Sequence, residues 1–131
     1  DTTAGPPAKV KRLILCSGKV AVDLLTSDVR ASRPDVAIAR VEQLYPFPED
    51  ALRELLAKYT KLRDVCWVQE EPMNMGAYSF AQPNLERVLD FIKAKQPKVR
   101  YVGRPASAAT AAGLMSKHLK ELKAFLDEAM A

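Results

Sequence analysis

The chain predicts an open α/β fold, a mostly parallel sheet with helices on both faces. Three observations carry this. Four short runs rich in Val, Ile and aromatic residues recur along the 131 residues, the composition that strands favour. Two of them, at residues 13–16 and 65–68, are apolar without interruption, as in strands covered on both faces. Between the runs, apolar residues recur at helical spacing, so the order reads β-α-β-α-β-α-β-α. That alternation is characteristic of a parallel sheet with crossover helices.

The elements follow in order. Residues 1–9 (DTTAGPPAK) hold Gly5 and the pair Pro6-Pro7; they read as a linker, and residues 10–131 as the domain. The first strand is expected over residues 10–17. A helix over residues 18–32 follows, with Val20 and Leu24, then Ala21 and Leu25, at helical spacing. The second strand is expected over residues 35–44. The second helix, residues 48–62, places Pro48 in its first turn and Glu49 and Asp50 where the helix dipole favours acids. Its inner face is Leu52, Leu55, Leu56 and Tyr59. The third strand covers residues 64–70. The third helix, residues 84–95, has Asn84 as its expected N-cap. A fourth strand over residues 98–103 precedes a last helix from about Thr110 to Met130, with Leu114, Leu122, Phe125, Leu126 and Ala129 inward. Ser107 or Thr110 is the expected cap of that helix.

The bulk composition narrows the functional classes. The chain is 48% hydrophobic and 27% charged, ordinary for a folded soluble domain. No apolar run approaches the roughly 20 residues of a membrane span, and no signal-peptide pattern opens the chain. The formal net charge is +4. Basic residues are densest at Lys93, Lys95, Lys98 and Arg100, without the repeating aromatics that a nucleic-acid surface uses, so a solvated face is favoured. An anionic or acidic partner stays open. Cys16 and Cys66 read as small core residues. With no CxxC and a single histidine, zinc is disfavoured, and a disulfide requires the two strands to be neighbours. A reducing compartment fits best.

In an open α/β sheet the loops beyond the strand carboxyl ends gather on one rim. That places Ser17, Gly18 and Lys19, residues 42–46, residues 70–76 and residues 104–107 together. LCSGKV carries only the GK of a phosphate loop. Its turn either holds an anion through backbone N–H groups or holds nothing, and the second reading is favoured. Gln69, Glu70, Glu71 and Pro72 close the third strand. Adjacent residues on a strand face opposite sides, so Glu70 and Glu71 do not read as an acid–base pair; Gln69 and Glu71 share a face. His118 reads as structural or solvent-facing, and no triad can be built around it.

Four strings stand out, LCSGKV, ARVEQLYPFP, WVQEEPMNMGAY and YVGRPASAATAAGLMSKH, and within them VEQLYPFP, QEEPxNxGA and GRPASA are specific together. In this order and spacing, from Lys11 onwards, the chain closely resembles the C-terminal segment of the decarboxylating component of 2-oxoglutarate dehydrogenase complexes. A relative acting on 2-oxoadipate and actinobacterial decarboxylase fusions share parts of the pattern.

The resemblance implies a transketolase-like C-terminal domain. Its fold would be a three-layer α/β/α sandwich that can include an antiparallel edge strand. The parent enzyme would use thiamine diphosphate and magnesium to decarboxylate 2-oxoglutarate. It would pass the succinyl group to lipoamide on dihydrolipoyl succinyltransferase, in the bacterial cytoplasm or the mitochondrial matrix. This segment lacks the GDG…N signature that binds the diphosphate and metal, and His118 matches none of the family's active-site histidines. No cofactor is expected on this domain alone. Its expected partners are the upstream domains and a second copy. The rim residues Ser17, Gly18, Lys19, Arg40, Glu70, Glu71, Asn74, Arg104 and Ser107 are its expected interface or anion-binding groups. One of the two glutamates is expected to anchor the loop and to pair with Arg104. The alternative is an independent binding module for an acyl-coenzyme A or a nucleotide, with Lys19, Arg40 and Arg104 as its cations.

Overall fold

The computed structural model describes Asp1 and residues 3–131. Among them, four strands form one sheet: β1 (Arg12–Cys16), β2 (Val36–Arg40), β3 (Asp64–Pro72) and β4 (Val99–Arg104), in the order β2-β1-β3-β4. All three pairings are parallel. The antiparallel edge strand that the resemblance allows is not among the described residues. The helices are α1 (Val20–Leu25), α2 (Glu49–Ala57), α3 (Tyr78–Phe91) and α4 (Met115–Met130).

Side-chain alternation sorts the core into two layers. Leu13, Leu15, Val65 and Trp67 face α2 and α3, where they meet Leu52, Leu56, Ala81, Leu85, Val88 and Leu89. Ile14, Cys16, Cys66 and Val68 face α1 and α4, against Val20, Leu24, Phe125 and Ala129. The result is a three-layer α/β/α sandwich with β1 and β3 covered on both faces. Cys16 lies opposite Val68 and Cys66 opposite Ile14, so the two thiols sit on neighbouring strands at different registers. Both are free and buried, and burial pushes each up to about 12.

Several expected boundaries move, each for a local reason. The first helix stops at Leu25 rather than residue 32. The Thr26 hydroxyl donates to the Val22 carbonyl and the Ser27 hydroxyl to the Leu24 carbonyl, and a single 3₁₀ turn forms later at Arg30–Ser32. α3 starts at Tyr78, six residues before Asn84, and carries Pro83 inside it. Asn84 is therefore not an N-cap; its amide donates to the Phe80 carbonyl at 2.7 Å. α4 starts at Met115, and neither Ser107 nor Thr110 caps it, since Leu114 holds the N-cap position. Gly113, at φ +76°, turns the chain before that start.

Residues at the start of the chain lie along the β2 edge. The Asp1 carboxylate accepts the Ile38 N–H at 3.0 Å and pairs with the Arg30 guanidinium at 2.8 Å, and Gly5 N–H donates to the Pro34 carbonyl. No described helix is long and apolar enough to cross a membrane.

Candidate functional site: the rim at the strand carboxyl ends

The third strand ends differently from the other three. Gln69 aligns with Gly103, yet the next aligned pair is Pro72 with Arg104. β3 therefore advances three residues while β4 advances one, and Glu70 and Glu71 form the bulge between them. This explains the adjacent acids. They are the residues extruded from the ladder; Glu71 is exposed and Glu70 half-buried. Among the described residues, neither carboxylate takes a hydrogen bond or an ion pair.

The anchor of this loop is Gln69, which is 3% exposed. Its side-chain oxygen accepts the Trp67 indole N–H at 3.0 Å and the Tyr78 backbone N–H, also at 3.0 Å. Its amide nitrogen donates to the carbonyls of Met75 at 2.7 Å and Pro72 at 3.1 Å, with that of Glu71 at 3.3 Å. One uncharged side chain thus ties the strand, the bulge, the turn and the first residue of α3 together. Two glycines leave it room. A Cβ on Gly76, which sits at φ +66°, would lie 3.0–3.1 Å from the Gln69 amide group. A Cβ on Gly103 would lie 2.5 Å from the Gln69 carbonyl oxygen and 2.5 Å from the Tyr101 hydroxyl. That hydroxyl donates to the Arg104 carbonyl at 2.7 Å, with the Glu71 carbonyl at 3.0 Å, and burial pushes the phenol up to about 12.

Arg104 does not pair with Glu71. Its guanidinium points under α4, where Nε donates to Glu121 at 2.7 Å and Nη1 to the Thr110 carbonyl at 3.2 Å. At 8% exposed it is a core cation satisfied by α4 and the loop before it. Asn74 and Ser107 do meet. The Asn74 amide donates to the Ser107 carbonyl at 3.0 Å and its oxygen accepts the Ser107 N–H at 2.9 Å. The loops after β3 and β4 are thereby clipped together.

The turn after β1 also has an internal partner. Gly18 N–H faces both carboxylate oxygens of Glu42 at 3.3 Å, and Arg40 stands 3.9 Å from the same carboxylate. Lys19 turns away to Asp23 at 2.6 Å, a hydrogen bond that raises its pKa. A cleft of about 250 Å³ remains between Ser17, Gly18, Leu44, Trp67, Gln69, Glu71 and Ala77. With Glu42 and Glu71 beside it, this cleft suits an anion poorly, so the module reading with Lys19, Arg40 and Arg104 as its cations has no geometric support. The structure brings Ser17, Gly18 and Glu71 to this cleft and joins Asn74 to Ser107. Lys19 and Arg104 are committed elsewhere.

Among the described residues, no three His, Cys, Asp or Glu side chains converge as a metal site. The N–H that a diphosphate would use already faces a carboxylate. Sequence reasoning missed Gln69, Tyr101 and Gly103. The available signal was that Gln69 shares a strand face with Trp67, because a buried indole N–H requires an acceptor.

Comparison with known proteins follows the same strings. A family model described as 2-oxoglutarate dehydrogenase C-terminal matches residues 1–130. The 2-oxoglutarate dehydrogenase E1 components of Brucella anthropi, Brucella ovis and Brucella suis are each 53% identical to the chain over 123 residues. Those alignments cover 94% of this chain and 12% of each relative, so the chain spans about an eighth of their length.

Proposed function

Because the chain belongs to the 2-oxoglutarate dehydrogenase C-terminal family, we propose that it acts as the assembly domain of a thiamine diphosphate-dependent 2-oxoglutarate decarboxylating enzyme. In this reading the parent protein decarboxylates 2-oxoglutarate and passes succinyl to lipoamide on dihydrolipoyl succinyltransferase. Thiamine diphosphate and magnesium sit on its upstream domains. Residues 1–9 connect to those domains and residues 10–131 dock against them and support a homodimer. The compartment is the bacterial cytoplasm or the mitochondrial matrix. The rim residues act as scaffold: Gln69, Asn74, Ser107 and Arg104 hold the loops, and Glu70 and Glu71 project toward a neighbouring domain.

One observation carries the assembly role. The polar groups of the rim are largely spent on one another, while apolar side chains stand uncovered beside α4. Leu114, Met115 and Leu119 are 68%, 72% and 56% exposed. Leu119 also lines a groove with Val29, Leu122 and Leu126. A helix start with three exposed large apolar residues is a surface built to be covered. The occupant in this reading is the upstream part of the same polypeptide, because relatives extend far beyond this segment.

Co-purification of this chain with the separately produced upstream segment tests the surface. Leu119→Glu should weaken their association at least about tenfold, as burying an unpaired carboxylate in an apolar interface requires. It should leave the melting temperature of the isolated chain unchanged within about 2 °C. Equal association of variant and parent chains would refute this surface.

A further inference from the structure

The amino-terminal end of the sheet carries a second surface. In a parallel sheet every helix-to-strand loop returns to this end; here the stretches before β1, β3 and β4 are basic, while the loop before β2 balances Arg30 and Arg33 with Asp28 and Asp35. Lys9 and Lys11 precede β1. Lys58, Lys61 and Arg63 lie between α2 and β3. Lys93 and Lys95 lie between α3 and β4. All are exposed, and none forms an ion pair. Among the other described cations only Lys120 is without one.

The loops are neighbours in space. Lys9, Lys11 and Lys61 line one hollow with Pro34 and Asp35. Arg63 N–H donates to the Lys11 carbonyl at 2.8 Å, and Arg63 and Lys95 border a second hollow. The acids at this end are mostly committed. Asp35 is held by Arg33 at 3.1 Å, and Asp64 by Arg12 at 2.6 Å and Arg100 at 2.9 Å. Asp28, in the loop before β2, and Asp90, in the last turn of α3, are free acids near this end. The unpaired Glu70 and Glu71 sit at the opposite end of the sheet.

We propose that this edge is a docking surface for an acidic face of another protein. The cations lie before three adjacent strands, β1, β3 and β4, a span of about 10 Å at the usual strand spacing. Spread in that way, they suit an extended acidic surface and not a single phosphate. Of the aromatic side chains here, Tyr59 is half-buried and Phe91, 66% exposed, has the Arg53 guanidinium 4.0 Å over its ring, so no series of free aromatic faces for stacking single-stranded nucleic acid is present among the described residues. The second hollow, about 140 Å³ and lined by Leu56, Leu62, Leu89 and Ile92, would seat one apolar side chain of the partner within the ring of charge.

The test is fluorescence anisotropy at low salt with this chain and a labelled Glu/Asp-rich peptide carrying one central Phe. A single-stranded oligonucleotide and anionic phospholipid vesicles are the competing probes. Lys11→Glu/Lys61→Glu/Lys95→Glu should weaken the peptide about tenfold or more, and a central Ala in the peptide should weaken it too. Lys19→Glu/Lys117→Glu/Lys120→Glu, an equal change in net charge elsewhere, should change binding about twofold or less. Circular dichroism melts establish that both variants are folded. Equal losses in the two variants, no peptide binding at low salt, or tighter binding of the oligonucleotide or the vesicles would overturn the proposal.

Discussion

Replacing Gln69 with Ala removes one uncharged side chain near the end of β3, yet it should be among the costliest substitutions in the chain. The Trp67 indole N–H, in a residue with no exposure, loses its acceptor. An orphaned buried donor costs about 1–3 kcal/mol. The Tyr78 N–H at the start of α3 loses its acceptor as well, for about 1 kcal/mol. The carbonyls of Met75 and Pro72 lose a donor, which costs less because under-satisfied carbonyls are better tolerated. Together these amount to about 3 kcal/mol. For a domain of this size that lowers the melting temperature by about 10 °C. The chain has a single tryptophan, so urea unfolding followed by its fluorescence reads the site directly. Glu70→Gln and Glu71→Gln, in the same bulge but without side-chain partners, should each shift stability by less than about 0.5 kcal/mol. If Gln69→Ala costs less than about 1 kcal/mol, or if either glutamate variant costs as much, the hub assignment is wrong.

Three further outcomes follow from the same geometry. Gly103→Ala should destabilise by about 2 kcal/mol or more in urea unfolding, because its Cβ must displace both the Gln69 carbonyl and the Tyr101 hydroxyl. Cys16 and Cys66, both pushed up to about 12 by burial, should resist a thiol-titrating disulfide reagent at pH 8 in the native chain and react at once in denaturant; fast native-state reaction would contradict their burial. Asp64 has its pKa lowered: burial opposes the charge, but hydrogen bonding and attraction from Arg100 and then Arg12 outweigh it. Its contribution is present above the unfolded carboxylate value of about 3.9 and is lost as pH falls through the lower folded value. Asp64→Asn should therefore cost about 1–2 kcal/mol at pH 7 and flatten the acid limb of the stability profile, read by urea midpoints across pH.

The layered fold was legible because its determinants are local. Leu13 to Cys16 and Val65 to Val68 alternate between two buried layers, and an uninterrupted apolar run marks that arrangement. The α3 boundary was not legible. Asn84 looked like a cap, whereas tertiary packing of Ala81 and Leu85 carries the helix through Pro83 and past that position. The site was misread at Gln69 for a related reason. Two adjacent acids draw attention to charge, but an extruded pair on a bulge is solvated, and the neutral amide beside it has both donor and acceptor to spend inside. The partner of Arg104 depends on where residues 105–114 deliver α4, a long-range fact that no spacing encodes. The rim as a gathering of four loops followed from topology alone; which residues bond within it did not.

The assembly role is tested most directly by complementation. A parent enzyme truncated before this segment is mixed with the chain, and 2-oxoglutarate decarboxylation is followed with thiamine diphosphate and magnesium present. The account predicts no activity from the chain alone and recovery when both pieces are combined, lost again with Leu119→Glu. Decarboxylation by the chain alone, or full activity of the truncated enzyme without it, would contradict the account.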